Sequence, residues 1–125
     1  MDKKLNIILV DDNPEFLTSL SSLLKKDPRF TIIGSYNSGQ ELLDCRQMYY
    51  DNLILMDIEM PGLSGIETGR LVNFRNPRVK LIAITMYQDK VYLDQLLESG
   101  FRGFVGKSDV AENLFQVIEA VLQER

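Results

Sequence analysis

The sequence has no histidine, no tryptophan and one cysteine, Cys45. Without imidazole there is no histidine acid–base catalysis, no Ser-His-Asp triad and no histidine metal ligand. A lone cysteine forms no internal disulfide and no thiolate zinc site, so Cys45 is expected to be a small, half-buried helix residue. Long apolar runs are also missing. The amino-terminal Met1-Asp2-Lys3-Lys4 precedes only the short run Leu5 to Val10 before Asp11-Asp12 stops it. That is too short for a signal peptide and far below a membrane span, which points to a cytoplasmic protein with no membrane contact. Nor is there an excess of positive charge. With 14 bases against 18 acids the net charge is -4, which disfavours non-specific binding to a nucleic-acid backbone. What is present is an ordinary globular composition in 125 residues, enough for a single domain spanning 1–125 that needs no structural metal.

Five short apolar runs alternate with helical patterns. The expected strands are Leu5–Val10, Phe30–Ser35, Asn52–Met56, Lys80–Thr85 and Gly103–Val105. They are rich in Ile, Val and Leu and mostly lack strict alternation, as suits strands covered on both faces of a parallel sheet. A first helix is expected from Pro14 to Lys26, with Asn13 as N-cap and Phe16, Leu17, Leu20, Leu23 and Leu24 on one stripe. Ser38-Gly39-Gln40-Glu41 and Ser64-Gly65-Ile66-Glu67 each have the spacing of a capping box and open the second and third helices. The fourth helix is expected near Asp89 to Ser99, stopped by Gly100, and the fifth near Asp109 to Gln123. The alternation predicts an α/β fold with helices on both faces of a parallel sheet.

In such a sheet, function collects at the carboxyl ends of the strands. The residues expected there are Asp11 and Asp12 after the first strand, Asp57 after the third, Thr85 after the fourth and Lys107 past the fifth. Clustered carboxylates repel unless a cation intervenes, and hard oxygen ligands at a partly open site favour magnesium. A nearby lysine offers positive charge and a threonine a hydrogen bond to an incoming phosphoryl group, in line with a carboxylate nucleophile.

The motifs Val10-Asp11-Asp12-Asn13, Leu55-Met56-Asp57-Ile58-Glu59-Met60-Pro61-Gly62, Ile84-Thr85 and Gly103-Phe104-Val105-Gly106-Lys107 closely resemble those of response-regulator receiver domains. The resemblance runs through the whole chain, in order and at the expected spacing. It implies a flavodoxin-like doubly wound (βα)5 fold with strand order 2-1-3-4-5. By the same resemblance Asp57 is the phosphoacceptor, and Asp12 (directly), Asp11 (through water), Asp57 and the backbone carbonyl of Glu59 hold magnesium or manganese. Lys107 pairs with Asp57 and then with the phosphoryl group, Thr85 hydrogen-bonds that group, and Phe104 is the aromatic whose rotamer follows the state. Phosphorylation then changes the surface of helix four, strand five and helix five.

Glu59 and Tyr87 flank this site, and Tyr87 is expected to shield the phosphoryl group from water. Met86 stands where a smaller residue is common, and its bulk narrows access; for Met56, Met60 and Met86 together, core filling is the default expectation. Ser108 follows Lys107 where many receivers carry proline, so no cis peptide bond is expected there, and Ser108 instead suits the N-cap region of helix five. Lys-Ser and Thr-Met together look most like receivers of NarL/LuxR-type transcription regulators.

The resemblance implies a sensor histidine kinase, phosphotransfer protein or small phosphodonor as partner. It also implies a homodimer through the helix 4/strand 5/helix 5 face or the helix 1/helix 5 face. With no histidine of its own, the chain is not the phosphohistidine donor. Arg125 follows directly on the fifth helix, so this chain brings no recognition helix and no direct DNA contact. The receiver part of a DNA-binding regulator and a stand-alone regulator acting by protein contacts both fit. A haloacid-dehalogenase-like aspartyl-phosphate phosphatase is the competing enzyme class, imitated by Asp57-Ile58-Glu59 but lacking room for a cap domain. A flavodoxin-like cofactor binder is opposed by Asp11-Asp12, which would repel a cofactor phosphate.

Overall fold

In the computed structural model, which describes residues 4–45 and 53–123, apolar runs and amphipathic segments alternate as the sequence predicts. The strands are β1 (Leu5–Val10), β2 (Phe30–Tyr36), β3 (Leu53–Asp57), β4 (Lys80–Thr85) and β5 (Phe101–Gly106). The helices are α1 (Pro14–Leu24), α2 (Gly39–Asp44), α3 (Gly65–Arg75), α4 (Lys90–Glu98) and α5 (Val110–Leu122). The strands form one parallel sheet in the order β2-β1-β3-β4-β5. This is the flavodoxin-like arrangement, with its switch point between β1 and β3.

α1, α2, α3 and α4 each start where a side chain satisfies an orphan amide. The Asn13 side chain accepts from the amides of Glu15 and Phe16 at 3.0 and 3.2 Å, with Pro14 at the first helical position. Ser64 and Glu67 form the complete reciprocal box. At α2 the box is displaced by one residue. Ser38 Oγ accepts from Glu41 N, but the Glu41 carboxylate takes the amide of Asn37 rather than that of Ser38. Gly100 closes α4 with φ 102°, a conformation open to glycine, as expected of a helix stop.

The sheet separates two dry layers. On one side α1 and α5 pack Leu17, Leu20, Leu24, Leu114 and Ile118 onto Ile7, Leu9, Leu55 and Ile82. On the other, Leu42, Val72 and Leu96 from α2, α3 and α4 cover Ile8, Ile54, Met56 and Leu81. β3 is buried along its whole length, which explains why its sequence shows no alternation.

Several details differ from the sequence reading: β2, β3 and β5 each end one residue later than expected, at Tyr36, Asp57 and Gly106. α1 ends at Leu24, with Lys25 as its C-cap, rather than at Lys26. β5 begins at Phe101, two residues early, because the register with β4 slips between Leu81 and Ile82. The extra residue lets Phe101 and Phe104, three apart in sequence, pack against the same layer. Ser108 does not cap α5. It lies in a 3-10 turn, Lys107–Asp109, and no side chain caps the helix that follows. Cys45 is half-buried as expected, but sits just past α2 as its C-cap, accepting the Tyr36 hydroxyl at 2.9 Å. Among the described residues there is no cis peptide bond and no helix long and apolar enough to cross a membrane. The start of the expected third strand, Asn52, lies outside the described residues.

Candidate functional site

The β1–α1 turn, the end of β3 and the turn after β5 meet at the carboxyl edge of the sheet. Carboxylate oxygens of Asp11, Asp12 and Asp57 lie within 4.8 Å of one another. Asp11 and Asp57 are 1% and 2% exposed, whereas Asp12 is open to solvent. Their spacing follows from the fold. The pairing of β1 with β3 sets Val10 beside Met56, so the next residue on each strand enters the same crevice.

Lys107 supplies the positive charge. Its Nζ is 3.1 Å from Asp11 Oδ2 and 3.4 Å from Asp57 Oδ2, and it lies 4.6 Å above the Phe16 ring. Burial works against its charge, but the contacts with Asp11 and Asp57 outweigh it and hold the ammonium above its usual value. Asp11 Oδ1 accepts the amide of Asn13 at 2.8 Å, which fixes that carboxylate in the turn. Among the described residues, two buried carboxylate oxygens have no hydrogen-bond partner: Asp11 Oδ2, which touches Lys107 without hydrogen-bond geometry, and Asp57 Oδ1. Burial above all, then the field of Asp11, pushes the Asp57 carboxyl from 3.8 up to about 6, against the opposing pull of Lys107. Two orphaned buried oxygens, with the exposed Asp12 carboxylate beside them, make the hard oxygen donor set that magnesium or manganese accepts.

Thr85, at the end of β4, is fully buried. Its hydroxyl accepts from Tyr87 N at 3.0 Å and has two acceptors at 3.1 Å, Glu59 Oε2 and the Tyr87 carbonyl. The Glu59 side chain is therefore tied down rather than solvent-facing. Besides Thr85 it accepts from Met86 N at 3.0 Å and the Tyr92 hydroxyl at 2.8 Å. Sequence reasoning missed Tyr92, whose only signal is its place in the first turn of α4. Met56 and Met60 are core residues, but Met86 is 71% exposed, which corrects the core-filling expectation for it. With Phe16, Thr85, Gln88 and Lys107 it lines a cleft of about 330 Å3 beside the carboxylates. Tyr87 is exposed and meets Tyr92 edge-on, ring centroids 5.7 Å apart. Phe104 is half-buried against the layer that holds Tyr92 and Leu93.

The family model of the response regulator receiver domain matches residues 7–119. The chain belongs to this family. Among its relatives, the transcriptional regulatory protein DegU of Brevibacillus brevis is 28% identical over 122 residues, covering 98% of this chain and 52% of that protein. The response regulator GacA of Pseudomonas viridiflava is 26% identical over 117 residues, covering 94% of this chain and 55% of that protein. The receiver thus spans about half the length of the curated relatives it matches. A LuxR-family two-component response regulator from Aurantimonas sp. superimposes with a TM-score of 0.88 at 27% identity, over 96% of this chain and 86% of that one. The isolated receiver domain of RcsB from Salmonella enterica serovar Typhimurium, with phosphomimetic BeF3-, shares the fold at a TM-score of 0.87, over 98% of this chain and 91% of that one, at 21% identity. The likeness to a LuxR-family regulator agrees with the subfamily that the Lys-Ser and Thr-Met pairs resemble.

Proposed function

We propose that residues 1–125 form a single receiver that captures a phosphoryl group on Asp57 and acts as a two-state signalling switch. The observation that carries this reading is the Asp57 carboxylate itself, buried, with Oδ1 unpartnered and Oδ2 facing Lys107. A structural aspartate this deep would have both oxygens satisfied.

In the capture step an Asp57 oxygen attacks phosphorus. A new oxygen–phosphorus bond forms as the bond to the donor's nitrogen or oxygen breaks, and the donor leaves with that electron pair. Magnesium or manganese held by Asp11, Asp12, Asp57 and the Glu59 carbonyl supplies positive charge to the crowded oxygens when bound. Lys107 transfers its attraction from the free carboxylate to the phosphoryl oxygens. Thr85 turns its hydroxyl proton to one of them, and Phe104 moves into the space it leaves. The added charge of roughly -1.5 to -2 biases the packing of α4, β5 and α5. The donor is a sensor histidine kinase, a phosphotransfer protein or a small acyl phosphate, and the switch is regulatory rather than metabolic.

Because several relatives are transcriptional regulatory proteins about twice its length, we assign the domain to the control of a cytoplasmic DNA-binding regulator, with dimerisation through α4/β5/α5 or α1/α5 as the means. The test is incubation with acetyl phosphate and magnesium, followed by intact-mass analysis and mapping of the acid-labile adduct. An adduct on any residue other than Asp57 would refute the assignment. Asp12→Ala is expected to lose most magnesium binding, read by calorimetry. Tyr87→Ala is expected to shorten the lifetime of the phosphorylated form several-fold; an unchanged dephosphorylation rate would remove Tyr87 from the account.

A further inference from the structure

The Glu59 side chain accepts three hydrogen bonds from the β4–α4 region, and none of them serves the carboxylate cluster. Tyr92 OH reaches Oε2 at 2.8 Å, Thr85 Oγ1 reaches the same oxygen at 3.1 Å, and Met86 N reaches Oε1 at 3.0 Å. One carboxylate on the β3–α3 loop therefore holds the end of β4, the loop after it and the first turn of α4. Burial and the bond to Glu59 both push the Tyr92 phenol well above its usual value, so it stays a donor throughout the physiological range.

We infer that Glu59 and Tyr92 form a clasp that holds Thr85 in the resting position and sets how readily the domain adopts its phosphorylated state. This rests on the reading of Asp57 as phosphoacceptor. Thr85 has a single hydroxyl proton, directed here to Glu59 or to the Tyr87 carbonyl. Donating to a phosphoryl oxygen on Asp57 requires that proton to leave both. The new negative charge also repels the Glu59 carboxylate, two residues along the chain. When Glu59 swings away, Tyr92 and Met86 N lose their acceptor, and the first turn of α4 is released with its exposed neighbours Met86, Tyr87 and Val91. Glu59 and Tyr92 are thus positioning residues: they act on the phosphoryl site through Thr85.

The test is calorimetric titration of the domain with beryllofluoride in excess magnesium, comparing wild type, Tyr92→Phe, Glu59→Ala and the double variant. Tyr92→Phe removes one hydroxyl without changing charge. It is expected to tighten beryllofluoride binding roughly tenfold, equivalent to about 1.4 kcal/mol, while lowering the thermal midpoint of the unliganded domain. Opposite signs on the two readouts separate a clasp from a merely structural contact, whose loss would weaken both. In the Glu59→Ala background, Tyr92→Phe is expected to add nothing, the coupling that a double-mutant cycle detects. An unchanged affinity in Tyr92→Phe, or the same gain with and without Glu59, overturns the clasp. A wild type that takes no beryllofluoride, or an Asp57→Asn variant that binds it equally well, overturns the phosphoacceptor reading beneath it.

Discussion

Asp57→Asn is expected to abolish the acetyl-phosphate adduct and, in metal-free buffer at neutral pH, to make the domain more stable. The second effect follows from the raised carboxyl, whose folded-state value of about 6 stands above its usual 3.8. The folded protein thus holds this proton more tightly than the unfolded chain does. Well below the usual 3.8 both states are protonated and the residue costs nothing, and at pH 4 only a small part of the penalty remains. Between about 4 and 6 the unfolded chain ionises first, so stability falls as pH rises. Above 6 the full penalty is present, up to about 3 kcal/mol for the gap between the two values. Chemical denaturation at pH 7 and pH 4 is the measurement. The variant should exceed wild type at pH 7 and nearly match it at pH 4, and magnesium should stabilise wild type more than the variant. Equal stabilities at pH 7 would mean that Asp57 is not strained by its surroundings.

Gly65→Ala is the second large effect, and it acts on the same aspartate from behind. Gly65 is the first residue of α3, and a Cβ there would lie 2.6 Å from Ile58 Cα and 2.7 Å from the Asp57 carbonyl. Both are backbone atoms, so no side chain can turn aside to make room. Relief requires α3 to retreat or the β3–α3 loop to shift, at about 1–3 kcal/mol. Because that loop carries Glu59, the same shift should slow adduct formation as well as lower the denaturation midpoint. Gly62→Ala is the contrast: its φ of 77° strains any other residue, but nothing lies within 4 Å of its Cβ position. A Gly65→Ala domain with unchanged stability and adduct rate would show that the loop yields freely.

Much of this was legible in the residues. β1 and β4 have the bounds that the sequence predicts, β1 because Lys4 and Asp11 end its apolar run abruptly. Asp11, Asp12, Asp57, Thr85 and Lys107 gather because each lies at or just past the end of a strand, and parallel strands all end at one edge. The displaced box at Asn37 is a local choice between two neighbouring amides, but the early start of β5 and the bonds of Glu59 depend on a slip of register or on a neighbour far along the chain. Local spacing carries no trace of either. Tyr92 is plain in the sequence as an α4 residue, but its hydroxyl finds Glu59 only because β3 and β4 lie side by side.

The sheet with two dry faces has a consequence for how such a protein can change over generations. Residues of the α1/α5 layer and residues of the α2/α3/α4 layer share few partners, since the strands stand between them. Substitutions on opposite sides should therefore combine additively in their effect on stability, as distant sites do. The side that carries the clasp can drift toward faster or slower switching while the other keeps its own contacts, and the reverse. One short domain thus offers selection two nearly independent dials.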